Sequence, residues 1–416
     1  MLHLLLSFIS SYVLKLNGRV FLTDSPPEAP SSVLSKLRRS SELFCMSAFD
    51  SIDETTDSTS SPLVPIGAVC SPSMSCTVSL DIGGSLLKFL YFEPLELAEL
   101  SLSSKFDFKP QLSVMSRTFG GKFHFFNIST SEITQIINFI KTNSLHSLLH
   151  SIPATGGGAH KFNDLITKEL TVPVTIHDEM DSLVAGLNFF LNEDYKELFQ
   201  YFPVADDVKF VPDQKSKDDS HPSKLFPYLL VNVGSGVSIL KVDGENEYAR
   251  VSGSGLGGAT FFAIAKLLLQ EDCSYDTLLS MARKGDSRKV DMLVGDIYGS
   301  NYSTIGLSSD VTAAFFGKLL NNQYMKVVEK EDLVRATLMM ITGNIAHIAY
   351  LNASKYGIKR ILFAGHFFRH DKISMASVSR GVHFWSAGQV RSYFLKHEGY
   401  LGVMGSWMLE NKKFRR

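Results

Sequence analysis

Cysteine, net charge and long apolar runs are all scarce in this sequence, and each scarcity removes a class of protein. The four cysteines among 416 residues are Cys45, Cys70, Cys76 and Cys273. They form no CxxC pair and have no histidine at zinc-ligand spacing, which excludes a disulfide scaffold and a zinc module and favours reduced, intracellular thiols. The net charge is −1 and the pI is near 6.9, so no global field draws the chain to nucleic acid or an anionic membrane. The apolar N-terminal stretch LHLLLSFISSYVL (2–14) is too short to span a bilayer, and no lysine or arginine precedes it. A secretory signal is therefore disfavoured against a short element on a leader or a misplaced start codon. A cytoplasmic protein without a membrane span is expected, with organelle targeting by the leader left open.

What is present describes a globular chain. It is 44% hydrophobic and 20% charged, enough for a sizeable core in two or three domain-sized lobes. The segment 24–78, with DSPPEAPSS and SIDETTDSTSSP, buries too little apolar surface to offset its ordering entropy. The expected divisions are a disordered leader (1–76), a first lobe (77–191), an exposed polar connection (192–226, with DQKSKDDSHPSK), a second lobe (227–411) and the short basic tail KKFRR. Within the lobes, Ile133, Ile136, Ile137 and Ile140 repeat at helical spacing, as do Leu183, Leu187, Phe190 and Leu191. Strand patterns at SLLHSIPAT, VPVTIH, YLLVNV and RILFA alternate with helices. A long helix over roughly 331–355 is apolar around much of its circumference, with Met339 and Met340 as core filler. This alternation predicts an α/β protein with two lobes.

Two glycine turns match. SLDIGGSLLKF (79–89) and VNVGSGVSIL (231–240) are each strand, turn, strand, so neither is a P-loop or a dinucleotide fingerprint, which require a following helix. A lone turn of this kind reads as a hairpin or bulge. A matched pair, one opening each lobe, can present backbone N–H groups to a triphosphate from two sides. Asp81 is then a candidate Mg²⁺ carboxylate working through water, and Lys88 a candidate phosphate neutraliser; an exposed strand lysine is the bland alternative. SGSGLGGAT does precede a helix, where glycines serve either anion binding or close packing. Arg250, just upstream, suits bidentate capture of a carboxylate, or else forms an ordinary salt bridge. In HDEMDSL, Asp178 reads as an N-cap, and Glu179 as either a dipole partner or a general base facing the cleft. His160, His177 and His366 have no metal spacing and read as core or surface residues.

These residues together resemble a known family. SLDIGGSLLKFLYFEP, ATGGGAHKF, HDEMDSLVAGL, VNVGSGVSILKV, RVSGSGLGGATF, DIYGSNY, RATLMMITGNIAHIA, LFAGHFFR and WSAGQ…FLKHEGYLGVMG occur in the order found in the eukaryotic-type (type II) pantothenate kinases, from about residue 77 to about 410. The resemblance implies a two-lobed actin-like, hexokinase-like α/β fold. It also implies ATP and Mg²⁺ as cofactors and transfer of the γ-phosphoryl group to pantothenate, the first step toward coenzyme A. By the same resemblance, Asp81, Gly83, Gly84, Ser85 and Lys88 form the first phosphate motif, and Gly234, Ser235 and Gly236 the second. Gly365, in FAGHFFR, lies near the nucleotide, and Glu179 is the catalytic base. Ser235, Ser238 and Arg250 contact pantothenate or the matching part of an acyl-CoA inhibitor. A homodimer is implied, with heteromers open, and coenzyme A or acyl-CoA as feedback inhibitor.

There are departures from the pattern. Ser254-Gly255-Leu256-Gly257-Gly258-Ala259 replaces the expected Thr-Ser-Leu-Gly-Gly-Gly. SSDVTAAFFGK is bulkier than the usual small-residue run, although the aromatic pair Phe384-Trp385 is kept; these changes bear on inhibitor sensitivity. A weakly active regulatory subunit and a sugar kinase of the same fold are the competing expectations. Intact Asp81, Lys88, Glu179 and Arg250 oppose the first, and the Glu179 junction with the Arg250 loop opposes the second.

Overall fold

Apolar alternation around Gly83-Gly84-Ser85 folds the first hairpin, β1 (Val78–Ile82) against β2 (Leu86–Pro94), with Asp81 paired to Lys88 in register. It belongs to a computed structural model that describes residues 77–95, 110–143, 145–193, 197–201, 210–212 and 225–413. The expected leader, with its apolar stretch and three of the cysteines, lies outside the described residues, as does most of the polar connection. β1 is buried at all five positions because it is an interior strand.

The first sheet adds β3 (Val114–Ser116), β4 (Gly121–Ser129), β5 (Ile152–Thr155) and β6 (Val174–Ile176), in the order β3-β4-β2-β1-β5-β6. β1, β5 and β6 are parallel, and the hairpin strands are antiparallel. Helices α1 (Ile133–Thr142) and α3 (Glu179–Glu193) follow the predicted faces, with Ile133, Ile136, Ile137, Ile140, Leu183, Leu187, Phe190 and Leu191 all buried, and α2 (Gly157–Leu170) begins where the sequence suggested only a glycine loop.

The second half repeats the plan. β9 (Tyr228–Val233), β10 (Val237–Gly244) and β11 (Glu247–Ser254) form an antiparallel meander, and β14 (Arg360–Ala364) and β15 (Arg391–Leu395) extend it in parallel, giving β11-β10-β9-β14-β15. The equivalent five strands of the first sheet run β4-β2-β1-β5-β6. This duplicated unit, three antiparallel strands followed by two parallel crossovers, is the two-lobed α/β plan expected from the sequence pattern and the actin-like architecture that the resemblance implies. Helices α4 (Gly258–Leu269), α5 (Tyr275–Lys284), α6 (Val294–Tyr298), α7 (Asn322–Met325), the long α8 (Lys330–Tyr356) and α9 (Lys372–Ser386) complete the half, with a small ladder of β12 (Met292–Leu293) and β13 (Thr312–Ala314). Met339 and Met340 pack against the second core, as filler should. Among the described residues no helix is long and apolar enough to cross a membrane.

Three features differ from the local reading. Within the polar connection, β7 (Leu198–Tyr201) and β8 (Phe210–Pro212) extend the second sheet, β7 pairing with β15 and burying Leu198 and Tyr201. Residues 247–254, read partly as a glycine loop, are strand β11, because β10 offers them a full ladder. The last helix, α10 (Leu401–Lys413), returns to the first lobe and packs on α3, β1 and β5. That crossing needs two glycines: a Cβ on Gly405 would lie 1.7 Å from the Ser182 carbonyl oxygen, and one on Gly186 2.0 Å from that of Leu401. Trp407 of α10, fully buried, meets Phe119 and Phe123 edge-on at 4.9 and 4.8 Å.

Candidate active site

The two glycine hairpins face one another across a cleft of about 620 Å³ between the sheets, and every residue assigned from the sequence to catalysis, phosphate, nucleotide or pantothenate lines it. Asp81, Gly83, Gly84, Ser85 and Lys88 come from the first hairpin and Glu179 from the start of α3. Gly234, Ser235, Gly236 and Ser238 come from the second hairpin, Arg250 from β11 and Gly365 from the turn after β14.

The first hairpin is held rigid from outside. Its Gly83 N–H donates to the Leu86 carbonyl at 3.0 Å, and Thr130 bonds the turn at two points, Oγ1 to the Gly83 carbonyl at 2.8 Å and its N–H to the Ser85 carbonyl at 3.1 Å. At the end of β1 the Asp81 carboxylate takes the Lys88 ammonium at 2.9 Å. Glycine surrounds it on both sides: a Cβ at Gly156 would lie 2.9 Å from Asp81 Oδ1, and one at Gly402 2.8 Å from Oδ2. This cradle keeps the carboxylate accessible to a cation. No group of three or more His, Cys, Asp or Glu residues is placed to enclose a metal among the described residues. One carboxylate beside a phosphate-sized cleft fits Mg²⁺, which retains waters and binds through phosphate oxygens, and does not fit a caged metal.

Glu179 is placed by its neighbours. Asp178 caps α3, its Oδ1 accepting from the Met180 and Asp181 N–H groups at 2.8 and 3.0 Å, so the N-cap expectation holds. His177 is tied to Glu410 of α10 at 3.0 Å; that carboxylate also accepts from Ser151 Oγ at 2.6 Å. The Glu179 side chain is solvent-exposed at the cleft wall, with protein packed around part of it. That partial desolvation raises its pKa, with the Asp81 charge as the next cause and Asp178 adding to it, while Lys88 pulls the other way.

On the opposite wall, the α4 N-terminus packs against the second turn. The Gly258 and Ala259 N–H groups donate to the Gly234 and Ser235 carbonyls at 2.8 and 3.1 Å, so close packing, and not anion binding, occupies those donors. Arg250 curls back over Gly253, whose Cβ, if present, would meet Nη2 at 2.6 Å; Gly253 is the register partner of Ser238. The guanidinium is thereby carried to the Ser238 side of the cleft. Gly365 has φ +97, and a Cβ there would sit 2.2 Å from the Val233 carbonyl oxygen, so only glycine lets this turn approach the second hairpin.

Sequence reasoning passed over several wall residues. Tyr275, from α5, carries the Arg369 guanidinium 4.2 Å above its ring, and Arg369 also pairs with Asp276 at 2.8 Å. Arg369 lay inside the FAGHFFR motif, but nothing local marked Tyr275. Phe384 and Trp385 meet edge-on at 5.1 Å, and Trp385 stacks on His347 at 4.5 Å, on α9 and α8 and away from the cleft lining.

Paired phosphate-sized hairpins, an accessible aspartate and a carboxyl of raised pKa in a cleft between duplicated lobes define a phosphotransferase acting on an alcohol. Comparison with known proteins narrows the class. The Fumble family profile matches residues 77–409, and the chain belongs to this family, the type II pantothenate kinases. Pantothenate kinase 1 of Arabidopsis thaliana is 40% identical over 357 residues, covering 82% of this chain and 87% of that protein. The pantothenate kinase of Schizosaccharomyces pombe is 36% identical over 340 residues, covering 80% and 81%. A relative under another name, the 4'-phosphopantetheine phosphatase of Mus musculus, is 35% identical over 340 residues, and the match covers 79% of this chain and 40% of that protein. Among solved structures, the activator of 2-hydroxyisocaproyl-CoA dehydratase from Clostridium difficile with bound ADPNP aligns at TM-score 0.44 and 12% identity, covering 82% of this chain and 95% of that one.

Proposed function

We propose that this chain phosphorylates pantothenate from ATP, giving 4'-phosphopantothenate and ADP. The observation that carries the reading is that Glu179 and Arg250, from different lobes, face one cleft floored by both glycine hairpins. Phosphoryl transfer asks for alignment, charge neutralisation and a base, and little covalent work. Glu179, ionised, accepts the proton of the attacking hydroxyl on its carboxylate. Lys88 and the N–H groups of Gly84-Ser85 and Ser235-Gly236 at the turn tips neutralise the phosphates, with the Gly83 and Gly234 N–H groups closing the turns themselves and Gly365 beside the nucleotide. Mg²⁺, when bound near Asp81, supplies charge that offsets the phosphate oxygens. Arg250 pairs with the pantothenate carboxylate, and Ser235 and Ser238 hydrogen-bond the same substrate.

Further parts of the reading are a homodimer or heteromer as the working assembly, coenzyme A or its acyl esters as feedback ligands in the pantothenate side of the cleft, and a cytoplasmic location. The lobes are assigned to 77–191 and 227–411 in sequence, with the last helix of the second segment completing the first lobe. Purified protein with Mg-ATP, offered pantothenate, glucose and N-acetylglucosamine in parallel, tests the activity. Phosphopantothenate formation with no sugar phosphate is the expected result. Sugar phosphorylation, or ATP binding without turnover on any substrate, would replace it with the sugar-kinase or regulatory-subunit reading.

A further inference from the structure

Glu179 and Arg250 belong to different lobes, so something must hold the two in register. Two residues beyond the base, Asp181 Oδ1 accepts a hydrogen bond from the Tyr248 hydroxyl. Tyr248 stands two residues before Arg250 on β11, and strand alternation puts both on one face. The register shift between Ile239 and Leu240 falls past Arg250 and leaves this spacing intact. The Tyr248 ring packs against a hydrophobic core shared by the two lobes, to which its own sheet contributes Leu240 and Val242 and α3 contributes Val184 and Leu187. Two turns further along α3, Asn188 Nδ2 donates to the Glu245 carbonyl at the tip of the β10–β11 hairpin, at 2.8 Å. Asp181 and Asn188, seven residues apart, share a helix face. The hairpin that carries Arg250 is thus bonded at two points to the helix that begins with Glu179. Between those points the seam encloses a second cavity of about 370 Å³, walled in part by Asp181, Ala185, Asn188 and Tyr248.

We propose that the Tyr248–Asp181 bond is a lobe-to-lobe latch that sets the position of Glu179 relative to Arg250, making both residues positioning residues for phosphoryl transfer. The latch touches neither the phosphates nor the reacting hydroxyl. It acts by fixing the angle at which the base on one lobe meets the substrate gripped by the other, and transfer rates fall steeply with small misplacements. Desolvation and the Asp181 carboxylate hold the Tyr248 phenol well above its ordinary pKa, so it remains a donor throughout the working pH range. The identity of the acceptor rests on the pantothenate-kinase reading; the latch geometry does not.

The test combines kinetics with hydrogen exchange in the full chain. Tyr248→Phe, which keeps the ring and its packing, should lower kcat with pantothenate about tenfold, the worth of a hydrogen bond to a charged group, with KM for ATP unchanged. Asp181→Ala should match it, Asp181→Asn should recover part of the rate because its amide oxygen still accepts, and the double variant should be no worse than either single one. Amide exchange across residues 179–185 should quicken in Tyr248→Phe with the melting temperature little changed. Wild-type kcat in Tyr248→Phe, additive losses in the double variant, or an equal rise in both KM values with a general loss of stability would overturn the latch. A wild-type chain inactive on pantothenate would sink the functional reading instead, and the exchange rates alone would then decide: unchanged exchange at 179–185 rejects the latch and faster exchange supports it.

Discussion

Lys88 and Asp81 are register partners across the first hairpin, and their side chains meet at 2.9 Å beneath its glycine turn. The pair puts one positive and one negative group at the mouth of the phosphate site with each orienting the other. Removing the lysine leaves the carboxylate facing incoming phosphates alone. Lys88→Met should therefore lower kcat/KM for ATP about a hundredfold, near 3 kcal/mol of transition-state stabilisation, as measured by steady-state kinetics. A loss below threefold would mean that the lysine is only a strand ornament.

Glu179→Gln should cut turnover by at least about a hundredfold while ATP still binds in calorimetry, because general-base catalysis contributes on that order. Stability should move the other way. A carboxyl whose pKa is raised in the folded chain contributes stability below its ordinary 4.5 and loses it as pH rises through the folded value. At neutral pH the ionised side chain is thus a net cost. Glutamine removes that cost, so the variant should melt at or above the wild-type temperature at pH 7.5 and lose this advantage in acid.

The same raised pKa predicts the pH profile. The base must be ionised, so kcat/KM should fall as pH drops, with the acidic limb lying above 4.5. Asp81 is the largest electrostatic cause of the shift. Asp81→Asn should accordingly move the limb of the residual activity to lower pH; a limb that stays put, or moves up, would detach Glu179 from it.

Arg250→Lys keeps the charge but not the planar fork, and it should raise KM for pantothenate about tenfold with KM for ATP unchanged. Equal effects on both substrates would place Arg250 outside the acceptor site.

Gly405→Ala tests the packing that brings the last helix home. Its Cβ would fall 1.7 Å from the Ser182 carbonyl oxygen, where backbone cannot yield locally. Thermal melting should register a loss of about 1–3 kcal/mol, the usual cost of overpacking. Activity should fall with it, because the helix displaced is the one that starts with Glu179.

How much of this was legible beforehand follows contact range. Both hairpins and the amphipathic faces of α1 and α3 are written in local periodicity, and the chemistry-bearing residues all converge on one cleft. Strands β7 and β8 were hidden because their neighbours in sequence are polar and only pairing, of β7 with β15 and of β8 with β7, gives them a ladder. β11 was hidden because glycine and serine carry little strand preference, and β10 supplies the missing incentive. The Tyr248–Asp181 bond joins residues 67 positions apart. Gly186 and Gly405 read as ordinary helix glycines until two helices distant in sequence are laid together.

The return of the last helix also orders events in time. The first lobe's aromatic cluster of Phe119, Phe123 and Phe189 closes around Trp407, which the ribosome adds nearly three hundred residues after it has made Phe119. The lobe made first therefore stays open until α10 has been made, while the second half grows beside it. A chain halted anywhere before α10 would expose that cluster and present a ready target to chaperones or proteases. The crossing helix thus works as a completion check, in which the half that holds the catalytic base consolidates only once its counterpart has been made.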